Sequence, residues 1–345
     1  MMTLQEGSPS KNLFKRPIPL YLVPFAIMLS FLVVYYLFPS PAKTKKTTFI
    51  PVQADCIDEM DILRNKEFKF TKHAYLYDVR NENPRYNSLK EKLNQVISLS
   101  KSSKGLMDIS IYYRNLNDGQ WFEINGSQEY NPASLIKVAF LIAMLKQSIT
   151  QPGVLDKKVF FSKHFDKSNT PNILDFKLGE NKYYTIKQLL NYMVVNSDND
   201  AAELIRQNVK PEVVIKVFSD LGIPRPPTKD EEYFINVIDY CKLFRVLFNA
   251  SYLGSNQSEV ALELLSKCTY KDGLLKDLHI TFPVAHKFGE RIINDIQQLH
   301  ETGLFYNDQK PYLLGVMSSG HSMKELSLIL SEVSQIIYQE SSKVN

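Results

Sequence analysis

The 345-residue chain is long enough for one large domain plus appendages, and an apolar share of 44% with 12% aromatic residues excludes global disorder. Its formal charge of +4 is unevenly placed: six of the 41 basic residues precede Thr47, beside one acidic residue, Glu6, and the remainder carries 35 basic against 36 acidic residues. That balance leaves no basic stripe for nucleic acid, and Cys56, Cys241, Cys268 and the scattered histidines lack metal-ligand spacing, so neither a metal nor any other cofactor is expected.

The first predicted element is the uncharged run Ile18 to Phe38, 21 residues long. At a rise of about 1.5 Å per residue it spans about 30 Å, the thickness of a bilayer's hydrocarbon core. Basic residues on both sides (Lys11, Lys15, Arg16; Lys43, Lys45, Lys46) argue against a buried core helix. A cleavable signal peptide is the closer rival, but Ser40-Pro41-Ala42 is a poor cleavage site and no cysteine nearby could take a lipid. An uncleaved signal anchor (18–38) after a short cytoplasmic tail (1–17) is expected, with the lipid bilayer as its partner. Equal basic flanks leave the orientation open. Residues 39–83 open with Pro39-Ser40-Pro41 and read as a stalk.

The domain proper is expected over residues 84–345. Leu89, Leu93, Val96, Ile97 and Leu99 give Tyr86 to Ser100 a helical stripe. Met107 to Arg114 alternates apolar and polar residues, Asn117-Asp118-Gly119 supplies a tight turn, and Trp121 to Ile124 returns, which predicts a β-hairpin. Helices are predicted over 134–147, 186–195, 200–208, 212–221 and 237–248, with Pro211 in a first turn. Strands follow over 283–287, 298–306 and 312–317, and an amphipathic helix over 324–339 closes the domain. Strands from both ends therefore bracket a helical middle. The economical fold class is α/β of the α+β type, one antiparallel sheet with helices on its faces and a helical lobe beside it, preceded by one N-terminal transmembrane helix.

Three short stretches carry the chemistry. Ser134-Leu135-Ile136-Lys137 opens an apolar helix, whose N-terminus favours an alkoxide or oxyanion. Lys137 lies one turn on, and desolvation there would lower its pKa and make it a base for Ser134. Ser197-Asp198-Asn199 separates two helical patterns, so the Ser197 hydroxyl could relay a proton and the Asn199 amide hold a substrate carbonyl. Lys287-Phe288-Gly289 lies on a predicted strand, with Lys287 and Gly289 on one face: a lysine aimed at substrate and a glycine that lets substrate approach the backbone. The N–H of Glu290 could then pair with that of Ser134 as an oxyanion hole. In isolation each stretch also reads blandly, as a capped helix, a polar helix junction and a strand end.

Taken together and in this order, they resemble the S-x-x-K, S-D-N and K-T-G elements of the class A β-lactamase and penicillin-binding serine hydrolase family, over about residues 84–340. The resemblance implies that Ser134 is acylated, Lys137 is its base, Ser197 shuttles the proton, Asn199 and Lys287 bind substrate, and Ser134 with Glu290 forms the oxyanion hole. Two departures matter. Phe288 replaces a hydroxyl residue that helps hold a substrate carboxylate. The family's deacylating E-x-x-x-N is matched in letters by Glu232 to Asn236, but a helix begins at once with Val237, and Asn236 reads as its N-cap. The expected activity is a membrane-anchored serine hydrolase with its catalytic domain outside the cell membrane. Its substrate is expected to be a β-lactam or a peptidoglycan stem peptide, hydrolysed as by a β-lactamase or a DD-peptidase. The alternative is a catalytically degenerate relative that binds peptidoglycan or a protein partner.

Overall fold

Helix α1 (Asn87–Ser103) buries Leu89, Leu93 and Ile97 on one stripe, and Asn83 caps the short turn that leads into it. These and all elements below come from a computed structural model, which describes residues 82–165, 174, 176–227, 232–307 and 310–341; the expected signal anchor, nearly all of the stalk and Cys56 lie outside the described residues.

Strands β1 (Leu106–Asn115) and β2 (Trp121–Ile124) form the expected hairpin. Gly119 takes a positive φ of 73° in its turn, and the Asn115 carboxamide oxygen accepts the Asn117 N–H at 2.8 Å. After β3 (Glu129–Tyr130), a 3₁₀ turn (Ala133–Ile136) leads into α2 (Lys137–Thr150). Val138, Leu141, Ile142, Met144 and Leu145 are buried around α2, which makes it the core of a helical lobe. A small separate sheet pairs β4 (Lys158–Phe161) with β5 (Lys182–Thr185). A capping box of Thr185 and Gln188 starts α3 (Ile186–Val195). Asp198 caps α4 (Asn199–Asn208), and Pro211 occupies the first turn of α5 (Pro211–Asp220). Strand β6 (Ile235–Asn236) pairs with β3, and Asn236 caps α6 (Val237–Phe248) by accepting the Asp239 N–H at 2.8 Å. Helix α7 (Ser255–Ser266) then precedes β7 (Val284–Ile293), β8 (Ile296–Phe305), β9 (Tyr312–Gly320) and α8 (Met323–Ser341).

The main sheet runs β2-β1-β9-β8-β7 and is antiparallel throughout. Side chains alternate across it. On β9, Tyr312, Leu314 and Val316 join Leu93 of α1 and Ile329, Val333 and Ile337 of α8, while Leu313 and Met317 join Leu141 of α2 and Phe244 of α6. Both faces are covered, so β9 is buried along its whole length. Helices α1 and α8 lie antiparallel, since Lys92 reaches Glu340 (3.6 Å) and Lys104 reaches Glu332 (3.0 Å). These exposed pairs add little energy; the apolar stripe between the helices holds them.

Several expectations shift. The helix expected from Ser134 begins with a 3₁₀ turn, neither α7 nor the small strand pairs β3–β6 and β4–β5 were anticipated, and the strand expected to end at Lys287 continues to Ile293. Leu93→Ala should cost about 2–5 kcal/mol, because Leu93 is fully buried between α1 and α8. On the same helix Leu99 is 65% exposed, and Leu99→Ala should cost less than about 0.5 kcal/mol. Urea unfolding of the two variants checks the contrast.

Candidate active site

The turn that carries Ser134 is held from several sides. Ala133 sits at a φ of 48°, a left-handed conformation that costs a non-glycine residue about 1–3 kcal/mol. Its N–H is fixed by the Asn131 side-chain oxygen at 2.9 Å, the Leu135 N–H bonds Pro132 O at 2.9 Å, and the Tyr240 hydroxyl of α6 donates to Leu135 O at 3.1 Å. His300 on β8 completes the clamp. Full burial lowers its pKa to about 4, so the ring is neutral. Its Nδ1 accepts the Ser318 N–H at 3.1 Å, which leaves Nε2 to donate to Asn131 O at 3.1 Å. Ser134 is thereby set at the head of the buried helix α2.

Lys137, the first residue of α2, is 4% exposed and reaches across to the junction of α3 and α4. There Asn196 ends one helix and Asp198 caps the next, accepting the Ala201 N–H at 2.6 Å, while burial raises the Asp198 pKa. Between them Ser197 takes a φ of 54°, which turns its polar atoms toward α2. The Lys137 ammonium donates to Ser197 O, to the Asn199 side-chain oxygen at 2.8 Å and to Ser197 Oγ at 3.3 Å.

The edge strand β7 closes the other side. Lys287 is completely buried and donates to the same Ser197 Oγ at 2.8 Å and to Phe288 O at 2.9 Å. The strand thus aims Lys287 at Ser197 and not into open space. Its neighbour Phe288 is also buried, stacked on Tyr270 with ring centroids 4.2 Å apart. Gly289 faces the serine turn: a Cβ there would lie 2.7 Å from Pro132 O and 3.0 Å from the Leu135 nitrogen. The glycine therefore admits the turn, where the sequence suggested that it admits substrate.

Ser134, Lys137, Asn199 and Glu290 line one cleft of about 360 Å³. Glu232 does not line it; its carboxylate is held by Arg291 at 2.5 and 3.2 Å, which lowers its pKa. The cleft also draws in residues the motifs do not reveal: Ile136 and Phe140 one turn apart, Ala202, Glu203 and Arg206 from α4, and Arg291 from β7. Those on α4 follow Asn199 at three, four and seven residues, a helical face visible in the spacing. Among the described residues no cluster of three His, Cys, Asp or Glu side chains could hold a metal ion.

Chemically, the Ser197 hydroxyl sits between two amines, a path along which a proton can pass. Burial lowers the Lys287 pKa from 10.5 to about 8, whereas the unfolded chain keeps the higher value. Between those values folding releases a proton, so the stability contribution of Lys287 rises with pH through that window, and the full desolvation cost applies below it. Relative to Lys287→Met, the wild type should gain about 3 kcal/mol between pH 8 and pH 10.5. Unfolding curves at the two pH values measure the gain, and a constant difference would contradict the assigned burial.

The sequence model of the Beta-lactamase enzyme family matches residues 88–341. A search of curated protein sequences finds no match. Among solved structures, a β-lactamase from Chitinophaga pinensis superposes with a TM-score of 0.65 at 17% identity, over 74% of this chain and 100% of that one. The extended-spectrum β-lactamase TLA-1 gives 0.64 at 19% identity, over 73% and 99%. PBP-A gives 0.60 at 19%, over 74% and 97%, and a PBP-A mutant seen as an acyl-enzyme with penicillin G gives 0.59 at the same identity and over 74% and 98%. At such identities the structural likeness is one of fold. With the family model spanning the sheet, the lobe and all three motif stretches, the chain belongs to the β-lactamase enzyme family.

Proposed function

We propose that this protein is a membrane-anchored serine hydrolase that opens an amide through an ester on Ser134, with its catalytic domain outside the cell membrane. Lys137 takes the Ser134 proton as Oγ attacks the carbonyl carbon. The N–H groups of Ser134 and Glu290 hold the oxyanion, and the Asn199 amide holds the substrate. The C–N bond then breaks, and Ser197 passes a proton to the leaving amine, resupplied through Lys137. Lys287 acts through Ser197, whose hydroxyl it holds. The observation that carries this reading is the single hydroxyl, Ser197 Oγ, within hydrogen-bond reach of both lysines beside the cleft that Ser134 lines.

Water attack on the ester would complete hydrolysis, as in a β-lactamase; a long-lived ester would be DD-peptidase-like. A deacylating role for Glu232 requires its pair with Arg291 to open, since that pair holds the carboxylate outside the cleft lining. One observation favours the second reading, a degenerate relative that binds peptidoglycan or a protein. The place where the family carries a hydroxyl is filled by Phe288 under Tyr270.

Intact mass after incubation with benzylpenicillin or its methyl ester separates the readings. Acyl transfer predicts an adduct that is absent in Ser134→Ala and forms about 10²–10⁴-fold more slowly in Lys137→Ala. An adduct that decays with turnover marks a β-lactamase, and one that persists marks a penicillin-binding enzyme. An adduct that survives Ser134→Ala would sink the assignment.

A further inference from the structure

Helix α2 is a core helix whose first half surfaces at one place. From Lys137 to Leu145 every residue is buried except Phe140. Ile136, one turn earlier, is half-buried as well, and both side chains line the cleft that Ser134 lines. On the other wall α4 buries Ala201, Leu204 and Ile205 and turns Ala202 to the same cleft. A methyl group there leaves open the space that a larger side chain would fill. From Ser134 to Phe140 the apolar wall runs about 10 Å, at the rises of a 3₁₀ turn and an α-helix. The cleft volume of about 360 Å³ falls within the range of small-molecule sites.

The polar side chains beside this wall are engaged with one another. Arg206 grips both carboxylate oxygens of Glu203, at 2.9 and 2.5 Å. Arg291 grips both of Glu232, and Lys137 donates to Ser197 and Asn199. A polar ligand group would compete with these internal partners, whereas hydrocarbon laid on Ile136, Phe140 and Ala202 displaces only water. The wall is also placed for one half of an amide. The acyl half stays on Ser134 through both steps of the reaction, while the amine departs past Ser197. Ser134, Ile136 and Phe140 belong to one turn and the helix that continues it, so the wall leads directly away from the ester.

We propose that the cleft selects acyl donors by an apolar acyl side chain, which lies between α2 and α4 against Ile136, Phe140 and Ala202. As a statement about substrate this rests on the acyl-transfer reading, but the binding is measurable without turnover.

The test uses the full chain in detergent micelles and two probe series. In the first, the p-nitrophenyl esters of acetic, butanoic and hexanoic acids acylate Ser134 and release p-nitrophenolate, with Ser134→Ala as the blank. Acylation efficiency should rise about twofold to fourfold per methylene. Ala202→Phe, which fills the groove, should lower the hexanoyl-to-acetyl ratio by at least about tenfold, and Phe140→Gln should lower it in the same direction. Partition into the micelles is common to all three proteins and cancels in that comparison. In the second series, calorimetry follows butanamide, hexanamide and octanamide binding to Ser134→Ala. Affinity should rise with length, and adding Ala202→Phe should flatten the rise. Ser134 adducts whose rate ignores chain length, a ratio that neither variant moves, or no binding of any amide overturns the proposal. Amide binding that rises with length and flattens in Ala202→Phe, with no Ser134 adduct from any ester, would overturn the acyl-transfer reading while supporting the apolar groove.

Discussion

Strand β7 meets the serine turn at Gly289, where the missing side chain leaves room for the backbone of the turn. The volume a Cβ would occupy belongs to Pro132 O and the Leu135 nitrogen. Much of the site follows from that contact. Strand β7 lies at the edge of the sheet, so its outer side is available to meet the turn and not another strand. The turn can lean on it because Asn131, His300 and Tyr240 fix its other atoms from β8 and α6. Ser134 and Glu290 are thereby brought to one cleft from positions far apart in the chain.

The second organising principle is that the buried polar groups beside the cleft satisfy one another. Lys137, Ser197 and Lys287 are all buried, and buried amines are tolerated only when hydrogen-bonded. Each lysine donates to oxygens of the opposing elements, so the bonds that lower the cost of burial also cross-link α2, the α3–α4 junction and β7. The left-handed residues Ala133 and Ser197 belong to the same construction. Their backbone strain is maintained because neighbouring hydrogen bonds over-determine the two short segments they occupy.

Where the chain states its own boundaries, the sequence was legible. The bounds of α3 and α6 follow from Thr185 and Asn236, both capping residues next to a clear apolar period, and the hairpin of β1 and β2 is announced by Asn117-Asp118-Gly119. Helix α7 was hidden because it opens on Ser255-Asn256-Gln257-Ser258 and its buried stripe begins with small residues, Ser258 and Ala261, before Leu262 and Leu265. The far half of β7 was hidden because two charged residues interrupt its apolar pattern. Glu290 and Arg291 face the cleft, so their charges read as loop. The three motif stretches were visible and the structure brings them together. What no spacing could supply were the partnerships: Arg291 with Glu232, 59 residues away, or Phe288 stacked on Tyr270 across a loop. Those contacts arise from the sheet edge and the lobe folding onto each other.

The antiparallel pairing of α1 and α8 bears on how the domain can be held. The start of α1 lies beside the end of α8, as the Lys92–Glu340 pair marks, and both helices cover the sheet face across from α2 and Ser134. The entry to α1 is also tied to the hairpin, since the Asn83 N–H donates to Trp121 O and the Glu82 carboxylate accepts the Glu123 N–H of β2. The described start of the domain and the cleft therefore lie at opposite edges of the sheet, β2 and β7, separated by its full width.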